Sequence, residues 1–217
     1  MPGAALTRPG AGPGGAPAGF HGKMPAHGDF VVRNLPRAFV ERWDGWLQDA
    51  LTESREALGD GWDEAFPACP PWRFLLPAGA CGPDAMMGLL VPSVDKVGRP
   101  FPLTIARRGP PAAGWAMDWA TEWFDAAEAL AAAALDRRTD AQALAVRAAA
   151  LPDPALPDGD TGEPREASGH SLWWSAGSRR VPPARLVHAG LPPPVAFTAF
   201  LDGDWDRWGW SGGKEPA

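Results

Sequence analysis

Several short stretches of this chain place reactive side chains close enough in sequence to raise a chemical question. Pro92-Ser93-Val94-Asp95 puts a hydroxyl two residues from a carboxylate in a turn, the minimum for a Ser/Asp hydrolase. A nucleophile of that kind needs a histidine base. The G-x-S-x-G elbow is missing, so His21, His27 or His188 would have to reach Ser93 through the fold.

His21, His27 and Asp29 could offer two imidazoles and one carboxylate to a metal, but nothing in their spacing fixes that geometry. The alternative for Asp29 is a hydrogen bond to its own loop backbone, the usual work of Asp in a turn. Gly22-Lys23 lacks the four-residue lead and the following Ser/Thr of a phosphate loop, and Met24-Pro25 comes next. Asp202, Asp204 and Asp206 imitate the start of a calcium loop. Arg207 stands where that loop needs glycine, and Gly213 where it needs its bidentate acid. Cys69 and Cys81 are not at zinc spacing and are too few for a disulfide framework. No cofactor fingerprint is present, and neither a metal nor a cofactor is expected.

The elements that would position these residues follow from periodicity. Residues 20–32 read as two small strands about a Gly/Pro-punctuated loop. Asn34 and Pro36 open a helix in which Phe39, Val40, Trp43, Trp46, Leu47, Ala50, Leu51, Ser54 and Leu58 share one face, until Gly59 stops it. Strands are expected at Trp72–Leu76, Met86–Val91 and Phe101–Ala106, the last two joined antiparallel by a long turn. Helical spacing returns over 115–135, with Trp115, Trp119, Trp123, Ala126, Ala127, Leu130 and Ala134 on one stripe. Asp118, Glu122, Asp125 and Glu128 form an opposite acidic face, solvated or open to a basic partner. A further helix is expected from Thr139, as cap, to Ala150. Strands at His170–Ser175 and Ala184–His188 and a short helix from Pro192–Pro194 to Gly203 complete the reading. Trp205, Trp208 and Trp210 alternate with acids and read as an anchor that packs back or reaches a partner.

The fold class is α+β, an antiparallel sheet with flanking helices in ββαβββαα order plus a C-terminal extension. Residues 1–18 read as a flexible Gly/Pro-rich leader, 19–150 as the α+β domain, 151–169 as a Pro-rich loop and 170–217 as C-terminal strands with a Trp-rich tail. Glycine and proline number 26 each among 217 residues, and that excess gathers in the leader and the loop.

The net charge is -6, without a basic cluster, which argues against nucleic acid. No apolar run is long enough to span a bilayer, so no membrane insertion is expected and the expected location is cytoplasmic. Most basic residues are arginine and tyrosine is absent, which points to a GC-rich bacterial coding bias.

Four blocks in sequence carry a family resemblance: Gly22-Lys23-x-Pro25-x-x-Gly28-Asp29-Phe30, then Trp43-x-x-Trp46-Leu47, then Trp72-Arg73-Phe74, then Pro92-Ser93-x-Asp95-x-Val97-Gly98-Arg99-x-Phe101-Pro102-Leu103. Over residues 19–135 the chain resembles the TagF/ImpM family of type VI secretion accessory proteins. The resemblance implies a non-catalytic, post-translational repressor of secretion assembly that engages the forkhead-associated scaffold protein of that system. The ββαβββαα order is itself similar to that of longin-like adaptor domains, which bind proteins. The hydrolase using Ser93 and Asp95, or a structural component of the secretion machine, are the alternatives. Within the blocks Trp43, Trp46, Trp72 and Phe74 are expected in the core. Lys23, Asp29, Ser93, Asp95 and Arg99 fall in two turns that an Asp29 or Asp95 pairing with Lys23 or Arg99 would join, as a loop clamp or a partner surface.

Overall fold

The computed structural model describes residues 16–109, 120–154 and 169–210. Seven antiparallel strands form one sheet in the order β2-β1-β5-β4-β3-β6-β7. The strands are β1 (Gly19–Gly22), β2 (Val31–Arg33), β3 (Trp72–Leu76), β4 (Met86–Val91), β5 (Leu103–Arg108), β6 (His170–Ser175) and β7 (Ala184–Ala189). Strands β6 and β7 continue this same sheet, with Phe74 on β3 opposite Trp173 on β6.

Helix α1 (Arg37–Leu58) crosses one face of the sheet. Its start is set by Asn34, which takes the left-handed conformation at φ 56°, and by Pro36, whose ring suits a helix entry. Phe39, Trp43, Trp46, Leu47, Ala50, Leu51 and Ser54 recur at helical spacing and are all buried. The Trp43 indole stacks on Trp173 at 6.0 Å and lies 4.8 Å from the Phe74 ring. Gly88 on β4 leaves room for this: a Cβ there would stand 2.6 Å from the tip of Phe74. Trp43, Trp46, Trp72 and Phe74 thus meet as core, each inside the cluster under α1. After a single 3-10 turn at Gly59–Gly61, the short α2 (Trp62–Ala65) carries Trp62 back against α1, its Nε1 donating to Ser54 Oγ at 3.0 Å.

The same face is completed from the C-terminal side. A 3-10 segment, Pro194–Thr198, runs into α5 (Ala199–Asp202), which stops at Gly203 in the left-handed region. Phe200 stacks on Trp72 at 4.2 Å, and Trp205 meets Trp72 edge-on at 5.6 Å. Trp210 Nε1 donates to the Ala196 carbonyl at 2.8 Å. Trp205 and Trp210 therefore pack back on the domain, and Trp208 is half-buried with its Nε1 on Asp202.

Helices α3 (Thr121–Ala134) and α4 (Ala141–Ala149) cover the opposite face, where Phe20, Met87, Leu89, Leu103 and Ile105 meet Trp123, Phe124, Ala127, Leu130, Leu144 and Ala148. The alternation of β5 explains both layers: Leu103 and Ile105 point to α3 and α4, while Thr104 between them accepts the Trp43 indole N–H at 2.8 Å on the α1 side.

Three expectations are corrected. The fifth strand runs 103–108 rather than 101–106, because Phe101 and Pro102 still belong to the preceding turn. The second strand begins at Val31, since Phe30 lies outside the pairing with β1. The cap of α4 is Asp140, whose carboxylate accepts from the Gln142 and Ala143 N–H groups; Thr139 instead bonds back to the Ala133 carbonyl. The acidic face of α3 is exposed at Glu122 and Asp125, as expected, but it is not without a cation. Asp125 and Glu128 each hold Arg73 of β3 at 2.7 Å. Trp115, Trp119 and Asp118, most of the leader and of the 151–169 loop, and Gly213 lie outside the described residues.

Candidate functional site

Two loops meet at one end of the β1–β5 pair. The first, residues 23–30, leaves β1 at Gly22, which adopts φ 134°. A Cβ at this position would fall on the Pro102 carbonyl, so only glycine lets β1 and the end of the second loop approach so closely. The second loop, residues 92–102, joins β4 to β5. Its core is a tight turn from Asp95 to Gly98, closed by the Gly98 N–H on the Asp95 carbonyl at 2.9 Å. Gly98 itself stands at φ 89°. Ser93 and Phe101 pair through their backbones at 3.0 Å below the turn, and Val94 bridges Pro100.

Asp95 is the hub. It has no exposed surface. Its Oδ1 accepts the N–H groups of Val97 at 3.0 Å and Arg99 at 2.9 Å, which locks its own turn. Its Oδ2 takes the Arg99 guanidinium at 2.6 Å and the Lys23 ammonium at 3.1 Å, which ties the turn to the first loop. Burial alone would push this carboxyl up. Hydrogen bonds from the Arg99 N–H and guanidinium, the Lys23 ammonium and the Val97 N–H outweigh that and hold it well below the usual carboxylate range.

The remaining bonds go from side chain to backbone across the seam. Ser93 Oγ donates to the Lys23 carbonyl at 2.8 Å, Lys23 Nζ donates to the Arg99 carbonyl at 3.3 Å, and Arg99 Nη2 donates to the Gly28 carbonyl at 2.8 Å. The Lys96 N–H reaches the His27 carbonyl at 2.8 Å. His27 in turn accepts the Ala141 N–H on Nε2 at 3.0 Å, which fastens the first loop to the start of α4.

Lys23, Ser93, Asp95 and Arg99 are therefore one cluster, whereas Asp29 stands apart. Its carboxylate is exposed and accepts the N–H of Phe30 at 2.8 Å. The imidazoles are engaged elsewhere: His21 Nε2 meets Asp44 of α1 at 2.8 Å, and His188 lies on β7 at the far edge of the sheet, with Nδ1 beside the Ala189 carbonyl. Above His21, the Phe30 ring stacks at 6.0 Å and packs edge-on against Phe101 at 4.7 Å, with Lys23 Nζ 5.3 Å from its centre. Pro25 is buried within the first loop, Gly28 is exposed at its tip, and Pro102 closes the second loop against Gly22.

The cluster joins the two loops to one another. The Ser93 proton is directed at a carbonyl, and each oxygen of the Asp95 carboxylate already holds two donors. Side-chain types in the two motifs pointed to Lys23, Asp95 and Arg99. The partners they missed, the carbonyls of Lys23, His27, Gly28 and Arg99, are backbone atoms that leave no signature in residue identity.

The family model for the TagF N-terminal domain, described as type VI secretion system-associated, matches residues 19–151. The crystal structure of PA0076 from Pseudomonas aeruginosa PAO1 is similar over 92% of this chain and 97% of that one, with 34% sequence identity and a TM-score of 0.77. No curated protein matches the chain. All four sequence blocks, both clamped loops and the core tryptophans of α1 and β3 fall inside the matched span, and the chain belongs to the TagF family of type VI secretion system-associated proteins.

Proposed function

We propose that this protein is a cytoplasmic, non-catalytic accessory regulator that represses assembly of the type VI secretion machine after translation, by binding its forkhead-associated scaffold protein. The observation that carries the reading is the Lys23–Asp95–Arg99 cluster within a type VI secretion-associated family domain. Its charged groups are spent on holding two exposed loops in one shape, which is what a binding surface requires, because loop order is then present before the partner arrives. In this role Asp95, Lys23 and Ser93 form the clamp, and Arg99 and Asp29 lie at its exposed rim.

The test is a calorimetric titration of the whole protein into the forkhead-associated scaffold of the same cell. An Asp95→Ala/Arg99→Ala double variant, first shown to be folded, is titrated beside it. Saturable binding that the variant loses supports the regulator and this site. Binding kept by a folded variant moves the surface elsewhere on the chain, and no binding by the parent overturns the scaffold as partner.

A further inference from the structure

Among the imidazoles whose hydrogen bonds have been described, His27 is the one that a proton would unbond. His21 Nε2 faces the Asp44 carboxylate and His188 Nδ1 faces the Ala189 carbonyl, both acceptors, so a proton on either nitrogen suits its bond. His27 Nε2 faces the Ala141 N–H at 3.0 Å, and an N–H can only donate. That bond therefore requires a neutral ring with its proton on Nδ1.

The partner for a protonated ring is also in place. Asp140, the cap of α4, has its Oδ1 3.9 Å from the same Nε2, while its Oδ2 accepts the Gln142 and Ala143 N–H groups. The His27 side chain is 30% exposed, so solvent protons reach it. Its backbone is held on both sides, the N–H by the Met24 carbonyl at 2.9 Å and the carbonyl by the Lys96 N–H at 2.8 Å. A proton on Nε2 thus changes the ring's partner without releasing the loop from the second loop. The other charged groups of the surrounding elements are committed or solvated. Lys23 and Arg99 are on Asp95, Asp136 is paired with Arg138, Asp29, Lys96 and Arg137 are exposed, and Arg147 lies in the last turn of α4.

We propose that His27 is a pH-operated latch between the first clamped loop and α4. Neutral, its Nε2 accepts the Ala141 N–H; protonated, it drops that N–H and turns to the Asp140 carboxylate. Histidine is the side chain that ordinarily changes charge between about pH 5 and 8, so the first turn of α4 is fastened to the loop at the upper end of that range and has an open N–H at the lower. The latch is a property of the fold and does not depend on the binding role proposed above.

The isotope-labelled full chain tests it without any substitution. At about pH 8 the ring nitrogens of His27 should show the Nδ1–H tautomer, not the Nε2–H one. Between about pH 8 and 5 the Ala141 amide signal should move with the same midpoint as the His27 ring. Exchange of that amide with water, corrected for its intrinsic pH dependence, should quicken roughly fivefold as one ordinary hydrogen bond is lost. Two variants, each first shown to be folded, divide the roles. His27→Gln offers an uncharged acceptor and should abolish the response. Asp140→Asn still caps the helix but gives the cation no opposite charge, and should move the midpoint of the response to lower pH.

An Nε2–H tautomer at the upper pH overturns the proposal. So does an Ala141 amide that stays still through the His27 titration, or one that still responds in folded His27→Gln. A midpoint unmoved in Asp140→Asn refutes the exchange of partners. Failure of the scaffold to bind would leave all of these readings untouched, so the latch and the binding role fail separately.

Discussion

His27 and Ala141 are joined by a single hydrogen bond, from the Ala141 N–H to the imidazole Nε2 at 3.0 Å, and through it the first clamped loop supplies an acceptor to the opening turn of α4. The first N–H groups of a helix have no partner within it, so the loop and the Asp140 carboxylate together satisfy three of them. His27→Ala should cost about 1 kcal/mol, as should Asp140→Ala. Urea denaturation measures the cost, and amide exchange at Ala141 should quicken in the first variant more than in the second.

Removing Asp95 and removing Arg99 should not be equivalent. Arg99 is largely exposed, and its loss leaves Asp95 still paired with Lys23. Asp95→Ala leaves Lys23 buried without its carboxylate and frees the Val97 and Arg99 N–H groups. The larger fall in Tm is expected for Asp95→Ala, and an Asp95→Ala/Lys23→Met double variant should recover part of it. Equal losses in the two single variants would contradict the hub role.

Acid should loosen the clamp. Asp95 in the folded chain titrates below its unfolded value of about 3.9, so its contribution is complete above that value and is lost as the pH falls through the folded one. Asp136, brought down to about 2 by the side chain and N–H of Arg138, acts in the same direction, as does Asp140 through the Ala143 and Gln142 N–H groups. Urea midpoints measured at about pH 5 and about pH 3 should differ more for the parent than for Asp95→Asn.

Gly22→Ala should destabilise by about 2–3 kcal/mol, since the new methyl group meets the Pro102 carbonyl and the backbone is in the left-handed half of conformational space. Gly28→Ala, where a Cβ meets nothing, should be close to neutral. Thermal melts of the two variants side by side give the comparison.

A chain ended at residue 151, the limit of the family match, should not fold as a monomer. It would keep α1 and β3 but lose Trp173, Phe197 and Phe200, which cover Trp43, Trp46, Trp72 and Phe74. Exposed aromatic surface of that extent predicts aggregation, which light scattering would report against the full chain.

Local pattern made much of this architecture legible. The stripe from Phe39 to Ser54 gave α1, and the apolar runs at 72–76, 86–91 and 170–175 gave three strands at their observed limits. Pattern failed where tertiary partners decide. Phe101 and Pro102 read as strand by type, yet the Phe101 N–H is taken by Ser93 in the turn. Arg73 sits on a β-strand with nothing in its neighbourhood to announce Asp125 and Glu128, which lie far along the chain. Nor does periodicity reveal that β6 pairs with β3, since strand order depends on contacts between distant residues. At the site, Asp95 and Asp29 look alike in sequence. Burial beside Lys23 separates them, and that is a property of the fold.

The strand order also sets when this protein can be finished. β1 pairs with β5, and β3 with β6, each across about 80 to 100 residues of intervening chain, so these pairings close large loops before returning any contact energy. On the ribosome β3 has β4 as a neighbour early, but its other edge stays open until residues 172–174 emerge. The nascent chain therefore carries an unpaired strand beside a row of tryptophans while roughly a hundred further residues are made. Closing that edge, and covering Trp43 with Trp173, both wait on β6.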